Sequence, residues 1–292
     1  MDRDVLRASM HALVLRTGTE LPADVEQALH AAWEGEAPDS VARENLGIMC
    51  ESAGLSRALG LPICQDTGSI FAVVSAGSAE AMAEIDDALR AAVMDLTAEG
   101  LLRQNCVDTL SDKNTGTNIG PFVPQIHYHP GAGPATVKLM LKGGGSENVS
   151  AQYSLPCKDL GAGRDLDGVR RCVLDAVLKA QGKGCAPGIL GVCIGGDRAS
   201  GYMLAKEQLF RTLTDSNPEP ALAALEEDIR SQANQLGIGP MGLRGKTTVL
   251  GVKCAAAGRH PASYFVTVSY SCWATRRCAV ELDASGRVAA WL

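Results

Sequence analysis

Twice in this sequence a polar loop carrying a cysteine leads into a short apolar run: Cys64-Gln65-Asp66-Thr67-Gly68 before residues 70–74, and Gly184-Cys185-Ala186-Pro187-Gly188 before residues 189–194. Apolar runs of that length, bounded by glycine and proline, suit strands buried on both faces, and such strands need helices or further sheet to cover them. The patterns between the runs supply the cover. Helices are expected over about 2–16, onward from Pro22, from a cap near Ser40 towards Gly60, from Ser78 to about Glu99, over about 167–181, and over about 218–236 with one more before it. Ala135, Val137, Leu139 and Leu141 alternate with Thr136, Lys138, Met140 and Lys142, a strand pattern that stops at Gly143-Gly144-Gly145-Ser146-Glu147-Asn148. Tyr264, Val266, Val268, Tyr270 and Cys272 share one strand face by the period of two, and Asp283-Ala284-Ser285-Gly286 reads as a hairpin turn.

Residues 101–124, rich in Asn, Asp, Thr, Gly and Pro, read as irregular and are long for a passive connector. Neither a repeat nor a linker marks a domain boundary. The expectation is one α+β domain over residues 1–292, with a helical N-terminal region and mixed β-sheets flanked by helices.

A chain of 292 residues, 46% of them hydrophobic, can bury a core large enough to fold without staples. Its ten cysteines are scattered, and no charged segment followed by an apolar stretch and a small-residue cleavage site precedes them. Reduced thiols in a cytoplasmic protein are therefore expected rather than a disulfide framework. No run of about 18 apolar residues would span a membrane. The net charge of −6 argues against a nucleic-acid partner, which needs clustered Lys and Arg. An anionic small molecule would need locally placed cations.

Several familiar motifs fail on spacing. In Gly242-Leu243-Arg244-Gly245-Lys246-Thr247 the first glycine of a phosphate loop would fall on Pro240, and a helix rather than a strand precedes it. Zinc sites and electron-transfer ferredoxins use close cysteine pairs, whereas Cys272 and Cys278, the nearest pair here, have five residues between them. No serine elbow is present, and the histidine of Arg259-His260-Pro261 by itself reads as an ordinary surface residue.

Seven stretches in order carry more. Cys64-Gln65-Asp66-Thr67-Gly68, Leu102-Arg103-Gln104-Asn105, Asn114-Thr115-Gly116, Gly143-Gly144-Gly145-Ser146-Glu147-Asn148, Gly237-Ile238-Gly239-Pro240-Met241-Gly242-Leu243, Arg259-His260-Pro261 and Cys272-Trp273-Ala274-Thr275-Arg276-Arg277 resemble the class I fumarate hydratase and tartrate dehydratase alpha subunits across roughly residues 40–280. The resemblance implies a [4Fe–4S] cluster at the centre of the fold, held by Cys64, Cys185 and Cys272, with the fourth iron open as a Lewis acid. Cys193 competes for the middle place. The family pattern of cysteine, proline-containing turn, apolar strand and two glycines favours Cys185, although Ala186 stands where the family usually has proline.

The resemblance further implies acid–base chemistry at Asp66 and substrate contacts from Gln65, Asp66, Arg103, Gly145 and His260. Arginine suits the forked recognition of a carboxylate, and glycine N–H groups can receive an anion. Single-chain members of the family continue into a further domain, so a separate beta subunit completing the active site, in an alpha2beta2 heterotetramer, is expected. The Gly145-Ser146-Glu147-Asn148 and Gly245-Lys246-Thr247-Thr248 stretches favour fumarate and malate as substrates over tartrate, with mesaconate also open. A cluster-bearing sensor without catalysis is the competing class, which Asp66 and Arg103 argue against.

Overall fold

A computed structural model of the chain describes residues 1–292. In chain order the elements are α1 (Arg3–Thr19), α2 (Ala23–Gly35), α3 (Val41–Leu59), β1 (Ser69–Ala76), α4 (Ala79–Ala98), β2 (Val107–Asp108), β3 (Lys113–Asn114), β4 (Gln125–Pro130), β5 (Ala135–Lys142), α5 (Gly144–Asn148), β6 (Ala151–Ser154), α6 (Leu166–Ala180), β7 (Gly188–Gly195), α7 (Arg198–Gln208), α8 (Pro220–Gln235), β8 (Val249–Ala257), β9 (Phe265–Ser271), β10 (Arg276–Leu282) and β11 (Val288–Trp291). The class is α+β, as the sequence patterns require. Backbone contacts divide the chain into two compact units: Met1–Pro22, Ser52–Gly144 and Ala274–Leu292 form the first, Ala23–Glu51 and Gly145–Trp273 the second.

The first unit is built on a five-stranded sheet of order β11-β10-β5-β1-β4, in which only β1 and β4 run parallel. Five consecutive buried residues, 70–74, mark β1 as a strand covered on both faces. Leu6, Met10 and Leu13 of α1 and Ile85, Leu89, Val93 and Leu96 of α4 recur at helical spacing and pack on Ile70, Ala72, Val74, Val137, Leu139 and Val280. Each such side chain contributes roughly 1.5–3 kcal/mol by leaving water. Asp2 caps α1 by accepting the N–H groups of Asp4 and Val5, and Ser78 caps α4 by accepting that of Ala81. Lys142, Arg276 and Arg277 are buried cations at the ends of β5 and β10, an expensive placement for side chains that normally stay in water.

The second unit carries a four-stranded sheet of order β6-β9-β7-β8, with β7 and β8 parallel and fully buried residues throughout β7. Leu190, Val192 and Ile194 face α6 and α8, whose Val169, Val173, Val177, Leu225 and Ile229 complete this core. The opposite face of β7 lies under α7. A Cβ on Gly191 would come 2.0 Å from the Ala205 carbonyl oxygen, so only glycine allows that helix to seat. Cys193 shares the Gly191 face by the period of two and is completely buried.

The glycine-rich basic stretch is tied down from within. Buried Glu36 accepts the N–H groups of Lys246 at 2.6 Å and Thr247 at 3.1 Å, while Lys246 Nζ donates to the Gly35 carbonyl at 2.7 Å. The amides a phosphate would need are already bonded to a carboxylate.

Four details depart from the sequence patterns. Residues 101–124 contain the small β2–β3 hairpin, and the glycine run after β5 closes into one helical turn, α5. Exposed β4 lacks clean alternation and is a strand because it pairs with β1 from Phe71↔Gln125 to Ala76↔Pro130. Cys272 does not belong to the strand face that ends with Tyr270; β9 stops at Ser271, and Cys272 lies in the loop beyond. No helix is long and apolar enough to cross a membrane.

Candidate active site

In the first unit the loop before β1 folds around its own aspartate. Asp66 Oδ1 accepts the Gly68 N–H at 2.9 Å, an Asx turn, and Oδ2 accepts the Gly144 N–H at 2.8 Å. Glycine is required at the first corner and relieves crowding at the second. Gly68 has φ +84, and a Cβ there would meet the Lys142 backbone at 2.9 Å; a Cβ on Gly143 would come 3.1 Å from Asp66 Oδ2. A carboxylate has about four acceptor positions, so two remain on Asp66 for a proton or a ligand.

Buried Thr67 joins this loop to the Leu102-Arg103-Gln104-Asn105 stretch. Its Oγ1 accepts the Arg103 N–H at 3.0 Å and the Asn105 Nδ2 at 3.1 Å. Asn118, buried and left-handed at φ +58, secures the same stretch from the other side. Its Oδ1 accepts the N–H groups of Asn105 at 2.7 Å and Cys106 at 3.1 Å, and its Nδ2 donates to the Arg103 carbonyl at 2.6 Å and Thr97 Oγ1 at 3.0 Å. The backbone of Arg103 is thus fixed while its side chain stays exposed. Cys64 is half-buried and Gln65 exposed beside Asp66. Cys64, Gln65, Asp66 and Arg103 are therefore gathered on adjoining loops.

In the second unit the structure brings Cys185 and Cys272 together. The Trp273 N–H donates to the Cys185 carbonyl at 3.1 Å, the Met241 N–H to the Ala186 carbonyl at 2.9 Å, and the Cys185 N–H to the Gly182 carbonyl at 3.0 Å. Cys185 adopts φ +54, a left-handed conformation that costs a non-glycine residue about 1–2 kcal/mol and tends to be kept at functional sites. Beneath it lies Tyr270, 2% exposed. Burial pushes the Tyr270 hydroxyl strongly up, and the nearby Cys272 and Cys185 thiols add to the effect. A Cβ on Gly184 or Gly188 would approach its ring to 2.5 or 2.4 Å, so the glycines on either side of the Cys185 loop make room for this tyrosine.

Cys193 differs in kind. It is sealed under α7, and burial pushes its thiol up to about 11, whereas Cys185 is half-buried in a loop. Metal-binding thiolates need access, and of the two sulfurs only that of Cys185 is in a half-buried loop. None of the ten cysteines is disulfide-bonded. Within neither unit do three His, Cys, Asp or Glu side chains already group as ligands for a metal ion.

The other expected substrate residues stand apart from these groups. Gly145 is exposed in α5, at the start of the second unit. His260 is exposed between β8 and β9; its Nδ1 accepts the Ala262 N–H at 3.1 Å, and its carbonyl accepts from Ser263. A cavity of about 520 Å³ in the second unit, lined by Asp24, Asp215, Glu226, Glu227, Arg230 and Lys253 among others, offers a rival location. Its charges are spent on one another: Lys253 donates to Asp215 Oδ1 at 2.5 Å and to two carbonyls, and Arg211 bridges Asp215 and Glu226. That network reads as scaffold.

The model of the fumarate hydratase (fumerase) family matches residues 7–281. The chain belongs to this family. It is 44% identical over 292 residues to a Geobacillus stearothermophilus protein provisionally named fumarate hydratase class I, covering 98% of this chain and 57% of that protein. It therefore spans little more than half of that relative. It is 34% identical to a Methanocaldococcus jannaschii protein provisionally named L(+)-tartrate dehydratase subunit alpha, over 90% of this chain and 93% of that one. It is 31% identical to the L(+)-tartrate dehydratase subunit alpha of Escherichia coli (strain UTI89 / UPEC), over 91% and 87% respectively.

Thr67, Asn118, Tyr270 and Arg276 bear on the site without having been singled out from the sequence. Thr67, Tyr270 and Arg276 lie inside or beside quoted stretches, but burial of a polar side chain leaves no local periodicity to find. Asn118 had only a weak signal, an asparagine next to glycine-rich turns.

Proposed function

We propose that the chain is the alpha subunit of a two-subunit class I fumarate hydratase, a cytoplasmic hydro-lyase that reversibly hydrates fumarate to L-malate. The observation that carries this reading is the Asp66 clamp: a carboxylate held by two backbone amides, two residues after a candidate cluster cysteine and joined through Thr67 to the loop of Arg103. In this reading residues 1–292 act as one catalytic domain.

Cys64, Cys185 and Cys272 would hold a [4Fe–4S] cluster, which supplies a Lewis-acid iron with an open coordination position. The half-buried state of all three thiols and the loop geometry of Cys185 and Cys272 support that assignment. Asp66 takes the proton from the substrate carbon during dehydration and returns it during hydration, using the acceptor positions the two amides leave open. Its fixed orientation means that no reorganisation is needed at the moment of transfer. Arg103 receives a substrate carboxylate in its guanidinium fork, and Gln65 donates to the same substrate. The Gly145 N–H and His260 are assigned further substrate contacts. A separate beta subunit, in an alpha2beta2 assembly, completes the site; the alpha-subunit names of the tartrate dehydratase relatives support a divided enzyme.

Fumarate is preferred because identity to the fumarate hydratase relative is 44%, against 34% and 31% for the tartrate dehydratase subunits. One observation favours tartrate: the chain matches those subunits over 93% and 87% of their length but the fumarate hydratase over 57%. Mesaconate differs from fumarate by a methyl group, worth only about 1–3 kcal/mol of discrimination. The chain, reconstituted anaerobically with its beta chain, is to be assayed on malate, tartrate and citramalate. Malate turnover should lead, and tartrate turnover far above it would refute the substrate. Asp66→Asn should keep the visible absorption of the cluster and abolish turnover; an active variant removes Asp66 from the chemistry.

A further inference from the structure

Arg276 is 1% exposed. Its Nη1 donates to the Asp66 carbonyl at 2.9 Å, and its Nε–H has no partner. Leaving an uncompensated charge in the interior is strongly unfavourable, and a well-packed apolar side chain would fill the same volume without that cost. A buried donor left without a partner in a native fold needs a reason. Its location supplies one.

The β5–β10 register pairs Arg276 with Leu141, next to Lys142 and the Gly143-Gly144 turn. A Cβ on Gly143 would stand 3.1 Å from Asp66 Oδ2 and 3.9 Å from Arg276 Nη2, so the guanidinium and the carboxylate border the same small space, which glycine leaves open. Asp66 is consequently held at three points: its carbonyl by Arg276, Oδ1 by Gly68 and Oδ2 by Gly144. The first of these contacts falls on the backbone and the other two on the carboxylate.

We propose that Arg276 is a positioning residue for Asp66, fixing the backbone from which the carboxylate reaches the substrate. The proposal rests on the reading of Asp66 as the proton-transfer group. It makes the Cys272-Trp273-Ala274-Thr275-Arg276-Arg277 stretch serve two ends, a candidate cluster cysteine at its start and the anchor of the base four residues later.

Arg276→Met keeps the bulk and removes every donor, whereas Arg276→Lys keeps the charge and a single donor nitrogen. Amide exchange at Gly68 and Gly144, followed in the chain alone, reads the positioning without turnover. It should accelerate at least about tenfold in R276M and stay close to the parent in R276K. In the chain reconstituted with its beta chain, R276M should lose on the order of 10²-fold in kcat with KM within about threefold and iron content unchanged, and R276K should recover most of that loss. Parental exchange and kcat in R276M would overturn the proposal. So would a raised KM at unchanged kcat, which marks a binding group, or equal losses in both variants together with a lowered unfolding midpoint, which marks scaffold. Should R276M fail to fold, R276K decides: parental Gly144 protection with kcat within about tenfold supports the role, and lost protection with unchanged kcat overturns it. Normal turnover in D66N would instead refute the reading of Asp66 itself, leaving the exchange result intact.

Discussion

Replacing Asn118 with alanine removes four hydrogen bonds from one side chain, and their surroundings set the cost. The N–H of Cys106, a buried residue, loses its acceptor where water cannot easily follow, which costs about 1–3 kcal/mol. The Asn105 N–H and the Arg103 carbonyl belong to exposed residues, so water replaces much of what is lost there. Thr97 Oγ1 keeps its own bond to the Val93 carbonyl and loses only an incoming donor. Alanine must also hold φ +58, adding about 1–2 kcal/mol. The expected loss is about 3–5 kcal/mol, a large part of a typical folding free energy, or a fall in Tm on the order of 10 °C for a chain of this size. Asn118→Gly loses the same bonds without the backbone strain and should recover about 1 kcal/mol. Trp291 lies in the first unit and Trp33 and Trp273 in the second. Urea unfolding followed by fluorescence in a Trp33→Phe, Trp273→Phe background therefore reports the first unit alone. An N118A loss below about 1 kcal/mol, or an N118G variant no better than N118A, would refute the account of Asn118 as the hub of this loop.

Gly188→Ala drives a Cβ to 2.4 Å from the buried Tyr270 ring and should destabilise by about 1–3 kcal/mol by overpacking, with partial relief in a Tyr270→Leu background; thermal melts of the two variants and their combination measure it. Cys185→Ser should abolish iron retention after anaerobic reconstitution and Cys193→Ala should leave it intact, as read by iron and sulfide content; the reverse pattern would transfer the ligand role to Cys193. Burial pushes the Asp215 carboxyl up, but hydrogen bonds from Arg211 and Lys253 outweigh it and hold the group below the usual carboxylate range. A lowered folded-state value means the contribution is present above the unfolded pKa near 3.9 and is lost as pH falls through the folded one. Asp215→Asn should therefore be less stable than the parent at pH 7, with the gap closing below about pH 4 in urea melts; a gap that persisted in acid would show that the carboxylate charge is not the cause.

Much of this was legible from local pattern. The runs at 70–74 and 189–194 became the central strands β1 and β7 because continuous apolarity is what burial on both faces demands, and α1, α4, α6 and α8 follow helical spacing and capping residues that act over a few neighbours. The edge strands β4 and β6 were not legible, since their stability comes from partners far along the chain, β1 for one and β9 for the other. Cys272 is the instructive case: alternation continued through it, but the ladder ends at Ser271 and leaves it in a loop against Cys185.

What the sequence determined by itself was the α+β class, the order of the seven motifs and, through them, the family, because each depends on residues within a few positions of one another. What the tertiary structure alone decided was the company each functional residue keeps. Asp66 meets Gly144 and Arg276 across 78 and 210 residues, and Cys185 meets Trp273 only after two intervening α-helices and three strands. Hydrogen bonds of 3 Å between such distant residues are consequences of strand register and helix seating, and no local pattern encodes either.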